Sequence, residues 1–543
     1  MAEMLTIEKF LGGVIMARKE HLVTQVAARR ARETPDRIYI QDVAGGELTF
    51  AQFHAECLTW ADGYRRCGVK AGDRVMVMMN TSFDSLFAGL APHWLKALDV
   101  NVNTALRGRW LVHILDNSQA EVLVMAERYL DQLALIAADA RFLKTVIVPD
   151  AKGPLPDLPF TMLTRADFLR DAAPDYSLPG PDPWDDVSVA YTSGTTGVSK
   201  GVLQCAGGTP VGGLTYWPPD GVSPDDCYYI PYPTFHASGR GLAYAAMLGG
   251  ARCVIRETFS TWHFWEDIRK YKCTITMMLG AVSNFVFQQP AKPDDADNPL
   301  RAVFMVPAVE KIEEFKRRFG VKVWAGFGGT DISSPIKSDW LDETNWSSCG
   351  RLRPGYQVRI VDEHDIEVPT GQVGEAIVRT DNPWIMNFRY FGMPEKTVEA
   401  WRNGWLHSGD GLRVDEKGNY YFVDRIKDAI RRRGENVSSF EVESEVNSHP
   451  AVLECAAIAV PSEWSEDEIK IVVRLHPDQK LEHAELIAYL IPRMPRYAIP
   501  RYVEFVEALP KTPTEKIQKN ELRKAPMTPT TWDREAAGIK VPR

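Results

Sequence analysis

The stretch Tyr191-Thr-Ser-Gly-Thr-Thr-Gly-Val-Ser-Lys-Gly201 concentrates the residue types best suited to hold an anion. Glycines such as Gly194 let the backbone curl so that successive N–H groups face one phosphate. The hydroxyls of Thr192, Ser193, Thr195 and Thr196 add donors, and Lys200 adds charge. In the Walker A pattern Ser or Thr follows the Lys; here Gly201 does, so a P-loop NTPase is disfavoured. A loop of this composition can also be ordinary surface, so the elements around it have to decide.

Those elements are legible. The Pro- and Asp-rich run Leu178 to Asp186 breaks regular structure and delivers the chain into an apolar strand, Val187 to Tyr191, directly ahead of the loop. Further upstream, residues 49–67 predict a helix: Thr49 and Gln52 have capping-box spacing, Phe50, Phe53, Cys57 and Trp60 recur on one face, and Gly68 is a stop. Asp73 to Met79 is a short apolar run bounded by Gly72 and Asn80, which predicts a buried strand, and 82–98 reads as helix again. Alternating strands and helices imply α/β layering.

Composition narrows the function classes. At 543 residues, 45% hydrophobic and 25% charged, the chain is a globular protein with more than one core. A net charge of -9 argues against nucleic acid as the main partner. The eight cysteines are scattered without C-x-x-C spacing, which favours reduced thiols over zinc or disulfides and predicts a cytoplasmic setting. No run predicts a membrane span, and the N-terminus does not fit a secretory signal. Near residue 427 the composition shifts to charged and basic, predicting a domain at 1–426 and a smaller one at 427–543.

The string from Tyr191 to Gly201 resembles the signature loop of the adenylate-forming superfamily, which includes acyl-CoA synthetases, luciferases and peptide-synthetase adenylation domains. Further strings resemble that family's motifs in the family's order, from about Thr49 to Arg523. Pro233 to Gly239 places His236 as the gate of an acyl pocket; amino-acid-activating relatives carry Asp there, so His236 points to an acid without an α-ammonium. Gly326-Phe-Gly-Gly-Thr-Asp331 implies Phe327 and Gly328 against adenine, Thr330 on phosphate, and Asp331 on Mg²⁺ where the family uses Glu. Val306 to Ala308 resembles the second adenine wall. Gly404 to Asp410 implies Asp410 on the ribose hydroxyls, a task suited to a carboxylate, with His407 structural. Tyr421 to Arg431 implies Arg425 on ribose and phosphate and Lys427 as a hinge, and Gly434 belongs to a loop lining a CoA tunnel. Leu509 to Lys519 implies Lys516 on the carboxylate and α-phosphate, with Glu515 in place of the family's Gly and Lys511 and Lys519 at the surface. Arg432 and Arg433 read equally well as a solvated face.

The resemblance implies an α/β fold: a large N-terminal domain of two sheet subdomains and a distorted β-barrel, and a small mobile α+β lid, with the active site in the cleft. It implies an ATP-dependent acid–CoA ligase that uses Mg²⁺, ATP and coenzyme A and acts through an acyl-adenylate. Several stretches look closest to the carnitine/crotonobetaine CoA ligase subgroup. A quaternary ammonium needs an aromatic cage or a carboxylate; Tyr216, Trp217 and Trp324 are candidates, with Trp324 and Gly326 also set at the acyl pocket. Cyclic, aryl and medium-chain acids stay open, as does a homodimer. The competing readings are a luciferase-like enzyme and a protein that handles pre-formed acyl-AMP or acyl-CoA without making the adenylate, the latter motivated by Asp331 and Glu515.

Overall fold

The computed structural model describes residues 4–12, 18–192, 199–386, 389–426, 430–432, 435–461, 467–494, 496–512 and 515–541. The chain divides into two units, Met1–Val358 with Val378–Leu406, and Arg359–Ile377 with His407–Arg543.

The first unit holds two seven-stranded sheets. One is built around Arg74–Met78, in which Val75 to Met78 are all buried, as befits a strand covered on both faces. It pairs in parallel with Leu98–Asn101 and Val122–Met125. The predicted strand before the anion loop forms as Asp186–Thr192, parallel to Leu98–Asn101, and Lys200–Cys205 returns antiparallel to it. Thr192 and Lys200 are register partners, so the loop's two ends meet at the carboxyl end of a sheet strand, where open α/β sheets hold ligands.

The predicted helix forms as Phe50–Arg66. Its N-terminus is closed by reciprocal bonds: Gln52 N donates to Thr49 Oγ1 at 3.2 Å and Thr49 N to Gln52 Oε1 at 2.9 Å. Phe50, Phe53, Cys57 and Trp60 are buried along one face. The 82–98 reading is shorter in the structure: helix spans Phe83–Trp94, and Leu98 already belongs to the next strand.

The second sheet of this unit runs in parallel through Lys322–Trp324, Ala302–Val306, Ile275–Leu279, Cys227–Ile230, Arg252–Ile255 and Ile38–Asp42, with Glu47–Thr49 antiparallel at its edge. The helix Ala237–Gly249 is fixed to the first sheet by a buried charge cluster. Arg240 pairs with Asp99, which also receives His93 Nε2 at 2.7 Å and the Asn101 amide. Burial pushes Asp99 up, but the Arg240 charge and the His93 bond outweigh it and hold the carboxyl below its ordinary range.

Five strands, Tyr356–Val361, Gly374–Thr380, Trp405–Val414, Trp401–Arg402 and Tyr420–Arg425, form the half-barrel expected as a distorted barrel, and Trp405–Val414 runs antiparallel to both Trp401–Arg402 and Tyr420–Arg425. In the second unit a four-stranded sheet, Val452–Pro461, Asp467–Leu475, Tyr502–Phe505 and Trp532–Asp533, shares a core with the helices Ser439–Asn447 and His483–Leu490. The fold is the α/β class with a small α+β C-terminal part. All eight cysteines are free thiols. No helix among the described residues is long and apolar enough to cross a membrane.

Candidate active site

Lys200 is fixed by a neighbour that sequence reasoning missed. Tyr390 bridges Val202 in the strand bearing Lys200; Phe391 N donates to Gly201 O at 2.7 Å and Tyr390 N to Thr397 Oγ1 at 2.9 Å. That backbone seam brings the phenol to Lys200: Nζ donates to Tyr390 Oη at 3.4 Å and lies 4.5 Å from the ring centroid. Burial, and then the charge of Asp331, raises the Tyr390 phenol.

Asp331 ends the motif that starts at Gly326. Gly326–Gly329 pairs antiparallel with Ser333–Lys337 in a tight hairpin. A Cβ on Gly328 would stand 2.3 Å from Ser333 O, so glycine is required for the two strands to close. Phe327 is buried, Gly328 exposed and Thr330 half-buried. The strands Ala302–Val306 and Lys322–Trp324 are parallel neighbours, so Val306 and the Gly326 motif emerge at the same end of the sheet.

Among the described residues Asp331 Oδ1 is buried without a hydrogen-bond partner, an expensive state for a carboxylate oxygen. This fits Mg²⁺, which takes one or two carboxylates together with substrate phosphates and waters. Among the described residues no group of three or more His, Cys, Asp or Glu could hold a metal alone.

His236, expected at the acyl pocket, caps the helix Ala237–Gly249: its Nδ1 accepts from Ser238 N at 3.2 Å. Tyr216 Oη donates to Ala237 O at 3.3 Å, and its ring meets Phe304 edge-on at 5.5 Å; Phe304 lies 5.4 Å from Trp324. Trp217 turns away, with Phe10 at 5.6 Å and its indole N–H on Ala245 O. Trp217 and Trp324 are fully buried, so of the three cage candidates only Tyr216 keeps an exposed surface.

In the second unit Asp410 and Arg425 are register partners across adjacent strands, with Arg425 Nε 3.5 Å from Asp410 Oδ1. Lys516 shares their field: desolvation first, then Arg425, push its ammonium below the ordinary lysine range, while Asp410 opposes them. The residue is nevertheless exposed, so water moderates that drop. Lys516 N donates to Thr512 Oγ1 at 3.1 Å, and Thr512 N to Lys516 O at 2.7 Å, which pins the loop. Glu515 has φ 62°, a region glycine enters without strain, and its carboxylate pairs with Lys511 at 3.1 Å, not with Lys516.

Two surface readings need correction, and one of two open readings for Arg432 falls away. Lys511 is mostly buried and also pairs with Glu454 at 2.5 Å, and Lys519 pairs with Glu443 at 2.8 Å. Arg432 is buried rather than solvated, bonding Tyr497 O, Ile499 O and Glu468. His407, whose Nδ1 lies 2.9 Å from Glu375, fits the structural role expected of it. Ser193, Gly194, Thr195, Thr196, Lys427, Arg433 and Gly434 lie outside the described residues.

The α/β fold with its small C-terminal part is that of the AMP-forming acid–thiol ligases. The AMP-binding enzyme family matches residues 27–387 and the AMP-binding enzyme C-terminal domain residues 441–516, and the chain belongs to this family. It is 28% identical over 485 residues to a crotonobetaine/carnitine–CoA ligase of Citrobacter koseri, covering 88% of this chain and 93% of that one. The Salmonella typhimurium ligase of that name is likewise 28% identical, with the same coverage. Among solved structures, an anthranilate CoA ligase in complex with anthranoyl-AMP superposes with a TM-score of 0.83 at 25% identity, covering 95% of this chain and 98% of that one. An O-succinylbenzoate coenzyme A synthetase from Bacillus subtilis, in complex with ATP and magnesium ion, shares the fold with a TM-score of 0.78 at 22% identity, covering 92% and 99%.

Proposed function

We propose that this chain joins a carboxylic acid to coenzyme A through an acyl-adenylate, with Asp331 and Lys516 serving the first half-reaction. A carboxylate oxygen of the acid attacks the α-phosphorus of ATP and pyrophosphate leaves. The sulfur of CoA then attacks the acyl carbon and AMP leaves. The loop from Thr192 to Lys200, including Ser193, Gly194, Thr195 and Thr196, cradles phosphate. Phe327 and Gly328 face adenine, Thr330 bonds phosphate, and Asp410 and Arg425 take the ribose. Lys516 meets the charge that builds on the reacting carboxylate and phosphate. Bound Mg²⁺ would neutralise phosphate charge, with Asp331 as its protein ligand. Residues 427–543 form a lid turning at Lys427, Gly434 lines the CoA path, and the enzyme acts in the cytoplasm.

One observation carries this reading: the register pairing of Thr192 with Lys200 in a chain that also bears, at Asp331, a buried carboxylate oxygen with no partner among the described residues. The left-handed, Lys511-paired Glu515 weighs against a protein that only handles pre-formed adenylate, because it leaves Lys516 uncommitted to that anion. The acyl side, with His236, Gly326 and Trp324, supports an acid lacking an α-ammonium. A panel of quaternary-ammonium, aryl, cyclic and medium-chain acids assayed for AMP and acyl-CoA identifies the acid. If no acid in the panel gave AMP and acyl-CoA together, the proposal would fail.

A further inference from the structure

The hairpin of Gly326–Gly329 with Ser333–Lys337 sets Gly326 directly opposite Lys337. Opposed residues of an antiparallel pair project on one face, so Lys337 leaves the hairpin on the side where Gly326 has no side chain. That side faces Phe304: a Cβ on Gly326 would stand 3.4 Å from its ring. Phe304 in turn meets the Tyr216 ring, and Tyr216 Oη donates to Ala237 O, next to His236. Lys337 crosses to this aromatic group and donates from Nζ to Trp217 O at 2.6 Å, one residue after Tyr216. A second cation serves the residue before it: Arg353 Nη1 donates to Thr215 Oγ1 at 3.0 Å and to Ser334 O at 2.9 Å. Neither cation forms an ion pair among the described residues. Trp217 O takes one of the three Lys337 ammonium N–H groups, and the other two have no acceptor among the described residues. Burial, then the Arg353 charge, push this ammonium down to about 7, with Asp339 and Asp220 opposing. A positive group brought here would add to the repulsion. An oxygen acceptor would take the remaining N–H groups and, if anionic, restore the charged amine.

We infer that Lys337 is a specificity-determining residue: it bonds an oxygen acceptor, a second carboxylate or a keto group, that the acid carries away from its reacting carboxylate, and it disfavours acids bearing a quaternary ammonium. The inference rests on the ligase reading above, with the acyl group between His236 and Gly326, and adds to it the class of acid. Arg353 is spent on Thr215 and Ser334, so it contributes positive field rather than a contact.

The test is a substrate profile of the full chain, read as kcat/KM for AMP release with acids of matched length that end in a carboxylate, a methyl ketone, a methyl group or a trimethylammonium group. The parent should favour the carboxylate- or keto-ended acid over the methyl-ended one by about 10- to 100-fold, the size expected for a hydrogen bond to a charged group, and the larger ratio names the acceptor. The trimethylammonium acid should rank last. Lys337→Met keeps the length and removes the donors, and should bring that preference to within about threefold. Lys337→Glu should raise the trimethylammonium acid above the carboxylate-ended one. A merely structural lysine would instead lower all these acids together. Should Lys337→Met fold poorly, Lys337→Gln, which retains an N–H for Trp217 O, should keep a keto preference and lose a carboxylate one. A parent that ranks the methyl-ended or the trimethylammonium acid first, or a ratio unmoved in Lys337→Met, overturns the inference. Failure of every acid to give AMP and acyl-CoA overturns the ligase reading instead, so the two failures are told apart.

Discussion

Replacing Lys516 by Ala should separate the two half-reactions. The ammonium stands in the field of Asp410 and Arg425, and desolvation together with Arg425 already makes its charged form less favourable than that of an ordinary lysine. Removing one transition-state donor costs about 100- to 1,000-fold, or about 3–4 kcal/mol, so acid-dependent pyrophosphate release should fall by at least that factor. Thioester formation from supplied acyl-AMP should stay within about threefold of wild type, since that step needs no new charge at the α-phosphate. Folding should barely change, because Lys516 is exposed and surface substitutions lie within about 0.5 kcal/mol. The assay is rapid-quench measurement of pyrophosphate with acid and ATP, beside thioester formation from synthetic acyl-AMP. Equal losses in the two steps would refute the role given to Lys516. The depressed ammonium also sets a pH dependence: adenylation should lose activity at a lower alkaline pH than a solvated lysine, near 10.4, would impose, and Lys516→Arg should move that limb upward.

Asp331→Ala should depress adenylation far more than transfer, whereas Asp331→Glu should be neutral or better; if both behaved like wild type in a magnesium titration, the carboxylate would have no metal role. Lys427→Pro fixes φ and should spare pyrophosphate exchange while blocking CoA transfer, and parallel loss of both would make Lys427 a stability position. Lys337, which donates to Trp217 O at 2.6 Å, is pushed down to about 7 by burial and then by Arg353, with Asp339 and Asp220 opposing. The unfolded chain then holds this proton more tightly than the folded one, so stability should rise from about pH 7 toward 10.4 as the buried charge is lost. Lys337→Met should flatten that rise in melting temperature, and parallel curves for parent and variant would contradict the assignment.

What was legible in the sequence is what is local. The Thr49 and Gln52 capping box, the Val75 to Met78 strand and the strand ahead of Thr192 can be read because a cap or a buried strand is specified within a few residues. The strings that resemble the family's motifs could be matched because each is short and contiguous, and the Gly326 string carries a backbone demand of its own, the close approach at Gly328. Tyr390 was not, because its meaning depends on a seam with Gly201 and Val202 and on Asp331, all distant in sequence. The Asp99, His93 and Arg240 cluster escaped for that reason too. Lys511 and Lys519 were misjudged, and Arg432 stayed undecided, because charge in a sequence suggests solvent, and only the fold reveals Glu454, Glu443 and Glu468 waiting for them.

The central claim is that the acyl group passes through an adenylate, and oxygen tracing tests it most directly. An accepted acid labelled with ¹⁸O in both carboxylate oxygens would be turned over with ATP, Mg²⁺ and CoA, and the products weighed by mass spectrometry. The account predicts one ¹⁸O in the phosphate of AMP and one in the thioester, with none in pyrophosphate. Unlabelled AMP, or label in inorganic phosphate with ADP as the nucleotide product, would contradict it.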